Sequence, residues 1–115
     1  MAIAIRASES NPGVPVVVLS GRLDMETAEA DYPVVRRAVE ESGAGVLIDL
    51  SGVEFIGSSG FRMLLRAHQQ AQAAGKPLAL TRPRPAVYKI FKVAAMDERF
   101  SFFDDEAVAV EALCG

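Results

Sequence analysis

The sequence predicts an α/β fold: one small domain with a mixed β-sheet of four to five strands and about four α-helices. Short apolar runs rich in β-branched residues alternate along the chain with longer segments of helical periodicity, as in domains that pack helices on a sheet. No internal repeat or long linker divides the 115 residues. A chain of this length buries about two-thirds of its surface on folding. We therefore expect a single domain over residues 1–115.

Three strands are predicted in the first half of the chain. Ala2 to Ala7 and Val14 to Leu19 flank an Asn-Pro-Gly turn at residues 11–13, so we expect them to pair as a hairpin. Val46 to Leu50 is almost entirely apolar, which is typical of a strand covered on both faces. We expect this strand to lie at the centre of the sheet.

The segment after Asp24 is predicted to be helical, with Asp24 as its N-cap. Pro33 complicates this helix, because an interior proline removes one backbone donor at a cost of about 3 kcal/mol. Two arrangements follow. Either residues 25–31 form a separate short turn and Asp31 caps the main helix, or one helix is kinked near Tyr32.

The second half is predicted to contain three helices and two short strands. One helix opens at the serines of residues 58–59 and ends at Gly75, another has Pro85 in its first turn and runs to Ala95, and acids at residues 104–106 open the last. One strand is expected at residues 78–81, and a short strand or extended segment at residues 99–103. The inner faces of the three helices are predicted to carry Phe61, Leu64, Leu65, His68 and Ala71; Val87, Ile90, Phe91 and Ala94; and Ala107, Val110 and Ala112 or Leu113.

The composition argues against several classes of function. Twelve basic and fifteen acidic residues give a net charge of −3, which disfavours sequence-independent binding to nucleic acid. No apolar run of about 18 residues and no signal-peptide pattern occurs, so we expect a cytoplasmic chain without direct membrane insertion. The single cysteine, Cys114, fits a reducing compartment and is expected to be an inert thiol.

Catalytic and metal sites are also disfavoured. The only histidine, His68, lies nine or ten residues beyond the two serines, which corresponds to about 14 Å along a helix. One histidine and one cysteine are a poor ligand set for zinc, and no glycine-rich nucleotide cradle occurs. We therefore expect no enzymatic activity, no cofactor and no metal. We expect His68 to be a half-buried packing residue with one ring nitrogen hydrogen-bonded.

Charges are unevenly distributed along the second half of the chain. Between Lys76 and Met96 every charge is positive, whereas residues 97–111 carry six acids and only one base, Arg99. Two interpretations follow: two solvated faces, or a basic patch that meets an acidic partner.

The most informative stretch is VLIDLSGVEFIGSSG at residues 46–60, where an apolar strand leads into two serines and a glycine that open a helix. The first N–H groups of a helix lack intrahelical partners and carry partial positive charge, so a phosphate on Ser58 or Ser59 would be stabilised there. The alternative is that one serine only caps the helix, worth about 1 kcal/mol. Asp24 and Asp49 are expected to act as caps or to satisfy loop backbone groups, unless either contacts a partner.

Several motifs together match one known family. They are GRLD at residues 21–24, LIDLSGVEFI at residues 47–56, SSG at residues 58–60, and the later region with Gly75, residues 78–80 and residues 85–87. On these motifs the chain resembles the STAS domain, and specifically the free-standing anti-sigma factor antagonists of bacteria. The run that ends in SSG is the specific part, and the resemblance covers nearly the whole chain.

This resemblance implies a domain that binds an anti-sigma factor, often a serine kinase of the GHKL ATPase class, and so releases a sigma factor. It also implies that phosphorylation of the first serine, here Ser58, reverses the binding, and it allows a phosphatase as a further partner. The residues expected to contact the partner are Asp24, Gly57, Ser58, Ser59, Gly60, Arg62 and Arg66.

Two residues depart from the family's pattern. Gly57 replaces the usual aspartate before the serine: losing the carboxylate removes repulsion of a phosphate, while glycine loosens the loop. Pro33 lies in a helix expected to form part of the docking surface. The resemblance also permits a second function, a cytoplasmic accessory subunit of a lipid or anion transport system. A third, an enzyme acting through Ser59 or Asp49, is the weakest because no base is within reach.

Overall fold

The computed structural model describes residues 3–114 and contains five strands and four α-helices, as the sequence predicted. The predicted start of the first strand, Ala2, lies outside the described residues. The elements are β1 (Ile3–Ala7), β2 (Pro15–Leu23), α1 (Met25–Glu41), β3 (Val46–Ile56), α2 (Ser58–Ala73), β4 (Leu78–Thr81), α3 (Pro85–Val93), a 3-10 turn (Asp97–Arg99), β5 (Phe102–Phe103) and α4 (Glu106–Cys114).

The strands form one mixed sheet in the order β1-β2-β3-β4-β5. The predicted hairpin is confirmed, because β1 pairs antiparallel with β2, while all other neighbours are parallel. The prediction that residues 46–50 lie at the centre of the sheet is also confirmed. Since α1, α2 and α3 each follow a parallel strand, their N-termini lie at the same edge of the sheet.

Helices cover both faces of the sheet. One core is shared by α1, α2, α3 and the facing side chains of the sheet, including Val46, Ile48 and Leu50. A smaller core lies on the other face, where Leu47 packs with Ala109 and Val110 of α4. Successive side chains of a strand point to opposite faces, so the apolar run of β3 supplies both cores.

Two strands are longer than the sequence predicted. β2 continues from Leu19 to Leu23, and β3 continues from Leu50 to Ile56. Register shifts interrupt their pairing after Val18 and after Gly21, and Gly21 has a φ of +78°, which favours glycine. Such bulges break the two-residue alternation by which a strand is recognised from sequence. The extension carries both strands to the start of the helices that follow.

α1 is one helix that includes Pro33, so the arrangement with a separate turn capped by Asp31 is wrong. Asp31 instead lies within the helix and is buried. Pro33 and Glu29 are both exposed, and water can reach the Glu29 carbonyl that proline leaves without a donor. The helix therefore tolerates the proline on its solvent side.

Both ends of α1 are capped by side chains. Asp24 is the N-cap, as predicted: its carboxylate accepts from the Thr27 N–H at 3.2 Å, and the Thr27 hydroxyl oxygen accepts from the Asp24 N–H at 2.8 Å. At the other end, the Lys76 ammonium donates to the carbonyl oxygens of Val39 and Glu40 at 3.1 and 2.9 Å. This cation satisfies orphan carbonyls and complements the helix dipole.

The later helices confirm most of the predicted inner faces. α2 ends with Ala74 as its C-cap, whereas Gly75 was the expected cap; Gly75 follows the observed cap in the left-handed region, at φ +71°. Two predicted inner residues, Ala94 and Ala107, are wrong because they are exposed. Ala94 lies beyond the end of α3. In α4, Val110 is inward as predicted, Leu113 is the inward one of the two alternatives Ala112 and Leu113, and Ala109 takes the place expected for Ala107.

Two polar atoms in the described part of the chain are buried without a hydrogen-bond partner: Asp31 Oδ2 and His68 Nδ1. His68 is half-buried, as predicted, and its ring meets the ring of Phe100 edge-on at 5.7 Å. The expectation of a hydrogen-bonded ring nitrogen is not met at Nδ1. Burial lowers the pKa of His68 and raises the pKa of Asp31, because burial disfavours the charged form of each group.

Replacing Asp31 with alanine is expected to increase the free energy of unfolding at pH 7 by about 1 kcal/mol, because it removes a buried carboxylate and adds a stronger helix former. The raised pKa means that the folded protein binds this proton more tightly than the unfolded chain. The contribution of Asp31 to wild-type stability therefore falls as pH rises from its ordinary pKa through its raised folded pKa, so the advantage of the variant should shrink at pH 3. Urea unfolding at pH 3, 5 and 7 measures both effects.

Glu29→Ala is the matched control, since Glu29 is exposed on the same helix and its loss should change stability by less than about 0.5 kcal/mol. An Asp31→Ala protein less stable than wild type at pH 7 would contradict the prediction. A stabilisation that stayed constant between pH 3 and pH 7 would contradict its ionic origin.

Candidate functional site

The site is built where β3 ends and α2 begins. Gly57 is the N-cap of α2, at φ −103° and ψ −178°, and no side chain caps the helix. Ser58 and Ser59 are the first two helical residues, so the prediction that one of them caps the helix is wrong. The Ser58 side chain is exposed, whereas Ser59 is half-buried. An exposed hydroxyl therefore lies beside helix N–H groups that lack both intrahelical and side-chain partners.

Hydrogen bonds anchor Gly57 on both sides. Its N–H donates to the Leu23 carbonyl at the end of β2, at 3.0 Å, and its own carbonyl accepts from the Phe61 N–H at 3.0 Å. Its φ lies in a region that any residue adopts. A Cβ at this position would meet only the Phe55 ring, at 3.4 Å. The loop is thus held in place without requiring glycine at position 57.

Gly60 is required by close packing of the first turn of α2 on the end of β2. A Cβ built on Gly60 would lie 2.6 Å from the Leu23 carbonyl oxygen and 2.9 Å from side-chain carbons of Leu23 and Ile56. All three contacts are closer than real Cβ atoms approach, and one of them is to backbone. The glycine of the SSG motif therefore lets α2 approach the sheet.

Asp24 lies at the same edge of the sheet as the serines. It follows Leu23, whose carbonyl binds Gly57, and its carboxylate is 3.9 Å from the Arg22 guanidinium. The Thr27 N–H, which donates to the carboxylate, holds the pKa of Asp24 below its ordinary value. The structure thus brings Asp24 near the serine loop but engages it in capping α1.

A groove of about 460 Å³ runs between α1 and α2, and we call it the α1–α2 groove. Ser59, Arg62 and Arg66 line its α2 side, so the structure brings these predicted site residues together. Ser58 lies one position before the first of them and is exposed at the start of the helix. The α1 side is lined by Pro33, whose helix was expected to form part of the docking surface, and by residues that were not predicted as site residues: Met25, Ala28, Glu29 and Tyr32.

The groove has an apolar floor, formed by the buried Ala28 and Met63, and two arginines whose guanidinium groups differ in their contacts. Arg66 stacks over the Tyr32 ring, 4.4 Å from its centroid, and the Tyr32 hydroxyl donates to Gln70 Oε1 at 3.1 Å. Met25 leaves 67% of its surface exposed at the other end of the groove. Aromatic residues, methionine and arginine are enriched at protein-binding surfaces, and all three kinds line this groove.

Asp49 does not belong to this site, because it lies on the face of the sheet that packs against α4. Its carboxylate is buried and accepts from the Ser51 N–H at 2.8 Å and from the Arg82 guanidinium at 2.6 Å. Burial acts to raise its pKa, but the hydrogen bonds from Arg82 and Ser51 together hold the pKa below its ordinary value. Asp49 thus satisfies a loop, as one of its predicted roles required.

The five cations between residues 76 and 92 differ in their contacts. Lys76 binds the end of α1, Arg82 pairs with Asp49, and the Arg84 side chain donates to the Ser51 carbonyl at 2.9 Å. Lys89 and Lys92 are exposed on α3. Three of the five cations thus have partners within the domain, and both interpretations of the run stay predictions.

Within residues 3–114, no helix is long and apolar enough to cross a membrane. Over the same residues, no group of three or more histidine, cysteine, aspartate or glutamate side chains is arranged to hold a metal ion.

The serine loop at the head of α2, the mixed sheet and the placement of the four helices have a counterpart among known families. The model of the STAS domain matches residues 6–109. The chain belongs to the STAS domain family. The fold and the family predicted from the sequence are thus confirmed.

Two relatives of the STAS chain carry names that describe a function. An anti-sigma F factor antagonist of Paenibacillus polymyxa is 26% identical over 110 residues, which cover 91% of each chain. The anti-sigma-F factor antagonist RsfB of Mycobacterium tuberculosis is 36% identical over 62 residues, which cover 54% of this chain and 50% of RsfB.

Solved structures show the same fold. An anti-sigma-factor antagonist (STAS) domain protein from Planctomyces limnophilus is 27% identical and matches with a TM-score of 0.81 over 98% of each chain. The Bacillus cell fate determinant SpoIIAA in its phosphorylated form matches at 0.69 over 97% of this chain and 99% of its own, at 18% identity. The murine anion transporter Slc26a9 matches at 0.76 and 18% identity, over 97% of this chain but only 22% of the transporter.

Replacing Gly60 with alanine is expected to lower the free energy of unfolding by about 1–3 kcal/mol, because the added methyl group overpacks the contact with Leu23. Urea unfolding of the purified domain measures this. The matched control is Gly57→Ser, which adds a side chain three residues earlier, where there is room for it and where serine can cap the helix.

The control should be as stable as wild type or more stable by a few tenths of a kcal/mol. Equal stability of Gly60→Ala and wild type would show that α2 can move away from Leu23, and would contradict the packing argument.

Proposed function

We propose that this STAS chain is an anti-sigma factor antagonist that binds its partner through the start of α2 and the α1–α2 groove. The observation that carries this proposal is the exposed Ser58 hydroxyl at an uncapped helix N-terminus, directly beside a groove with an apolar floor and two arginines. The names of the relatives from Paenibacillus and Mycobacterium support the same role. The proposed role is binding rather than catalysis.

The partner in this proposal is an anti-sigma factor that is also a serine kinase of the GHKL class. The kinase transfers the γ-phosphoryl group of ATP to Ser58 Oγ; the hydroxyl loses its proton to a base of the kinase, and ADP leaves. The product carries nearly two negative charges at pH 7, at the rim of the binding surface. Charge repulsion and the cost of desolvating the phosphate weaken the complex, and hydrolysis by a phosphatase restores it.

Gly57 fits this switch better than the sequence alone suggests. Glycine at position 57 was expected to loosen the serine loop, but two hydrogen bonds hold Gly57 to Leu23 and Phe61. α2 has no acidic residue in its first turn. A phosphate on Ser58 would therefore meet helix N–H groups without a neighbouring carboxylate to repel it.

The alternative function, a subunit of a lipid or anion transport system, draws only on the fold shared with part of Slc26a9. The STAS fold serves in both settings, so fold similarity does not separate them. The exposed serine at the head of the groove favours the anti-sigma factor antagonist.

The test is binding of the purified domain to the GHKL-type kinases encoded in the same genome, measured by calorimetry without ATP. Wild type and Ser58→Ala are expected to bind one of these kinases with similar affinity, because serine and alanine are both small and neutral. Ser58→Glu is expected to bind at least about tenfold more weakly, because it places a charge in the interface. With ATP, mass spectrometry should find one phosphoryl group on wild type and none on Ser58→Ala.

Ser10→Glu is the matched control, since Ser10 is exposed in the loop between β1 and β2 and the substitution adds the same charge away from the groove. It should bind as wild type does. The proposal fails if no such kinase binds wild type, or if Ser58→Glu binds as tightly as Ser10→Glu.

A further inference from the structure

Arg62 is placed to interact with a group on Ser58. It lies four residues after Ser58 in α2, and side chains at this spacing are neighbours on a helix surface, with Cβ atoms about 5–6 Å apart. Both residues are exposed. The order is the favourable one, since an anion N-terminal to its cation also complements the helix dipole.

Within the described residues, Arg62 forms no ion pair and no side-chain hydrogen bond. The contrast is Arg66, one turn later, whose guanidinium already lies over the Tyr32 ring. Arg62 lines the α1–α2 groove, where Glu29 of α1 is the one acidic lining residue. Of the two arginines, Arg62 is therefore the one free to change partners.

We propose that a phosphate on Ser58 captures the Arg62 guanidinium within the same helix and so removes this cation from the α1–α2 groove. The inference rests on the proposed function for the role of the phosphate, and it adds a second effect to the switch. Phosphorylation then changes the partner-binding surface at two places. The rim gains the negative charge of the phosphate, and the groove loses the positive charge of the Arg62 guanidinium.

The local geometry supports capture over free rotation of the phosphate. The free N–H groups at the start of α2 can hold one phosphate oxygen, and the planar guanidinium of arginine can bind the other two in parallel. Gly57 favours this capture because it is uncharged. A carboxylate at position 57 would repel the phosphate and would compete with it for Arg62. The device therefore depends on the combination of Gly57, Ser58 and Arg62 in this chain.

The test needs neither a kinase nor a binding partner. Phosphoserine is incorporated at position 58 during translation, and the second pKa of the phosphate is measured by ³¹P NMR titration. The second pKa of a free phosphoserine is about 6. We expect a lower pKa in the otherwise wild-type protein, and we expect Arg62→Gln to raise this pKa by roughly 0.2–0.4 unit, because one close cation is lost.

Arg66→Gln is the matched control, because it removes the same charge one turn further along α2. Its phosphate should titrate as in the wild-type protein. In the protein without either substitution, phosphorylation should shift the Nε–H resonance of Arg62 and leave that of Arg66 unchanged. Arg62→Lys keeps the charge without the planar fork, and should give an intermediate pKa.

The inference is overturned if Arg62→Gln leaves the phosphate pKa unchanged, or if Arg66→Gln raises it equally, which would indicate a general field rather than capture. Amide spectra of each variant verify that the fold is intact. This outcome is separate from the proposed function, which fails on the binding of Ser58→Glu whatever the titration shows.

Discussion

The contact between the first turn of α2 and the end of β2 is the constraint on which the site depends. The Leu23 carbonyl accepts the Gly57 N–H and lies against the Cα of Gly60, closely enough to exclude a Cβ there. One carbonyl thereby sets both the start of α2 and its distance from the sheet. Because Leu23 is followed directly by Asp24, the same contact also sets where α1 begins. The same contact therefore sets the starts of both helices that form the groove.

A switch built on such a platform changes charge without needing to change shape. The side chains between α1 and α2 are already held, by the stack of Arg66 on Tyr32 and the hydrogen bond from Tyr32 to Gln70. Lys76 donates to carbonyl groups at the C-terminal end of α1. Ser58 stands at the exposed start of this assembly, so a phosphate there reaches solvent and partner without disturbing the core.

The fold could be predicted from sequence because alternation, turns and caps all indicated the same elements, from the Asn-Pro-Gly turn to the Asp24 cap. The ends of β2 and β3 could not, because bulges break their alternation. The sequence could not decide between the two arrangements of the first helix, because an acid two positions before a proline resembles a cap, and only tertiary packing shows Asp31 buried within one helix. The polar residues of the candidate site were predicted from the SSG motif, the helix that follows it and the resemblance. The groove residues Met25 and Tyr32 were missed because one sequence cannot separate an exposed apolar face from a core face.

A phosphate on Ser58 has two effects, the capture of Arg62 and a charge in the partner interface, and these effects differ in energy. An i,i+4 ion pair on an exposed helix is worth about 0.3–0.5 kcal/mol, which is about a twofold change in an equilibrium. A charge left unpaired in a protein interface costs about 2–5 kcal/mol, enough for a change of more than tenfold. The phosphate in the interface is therefore the larger effect. Capture of Arg62 matters through what the partner loses, because an acidic partner group that had bound Arg62 would then be left unpaired as well.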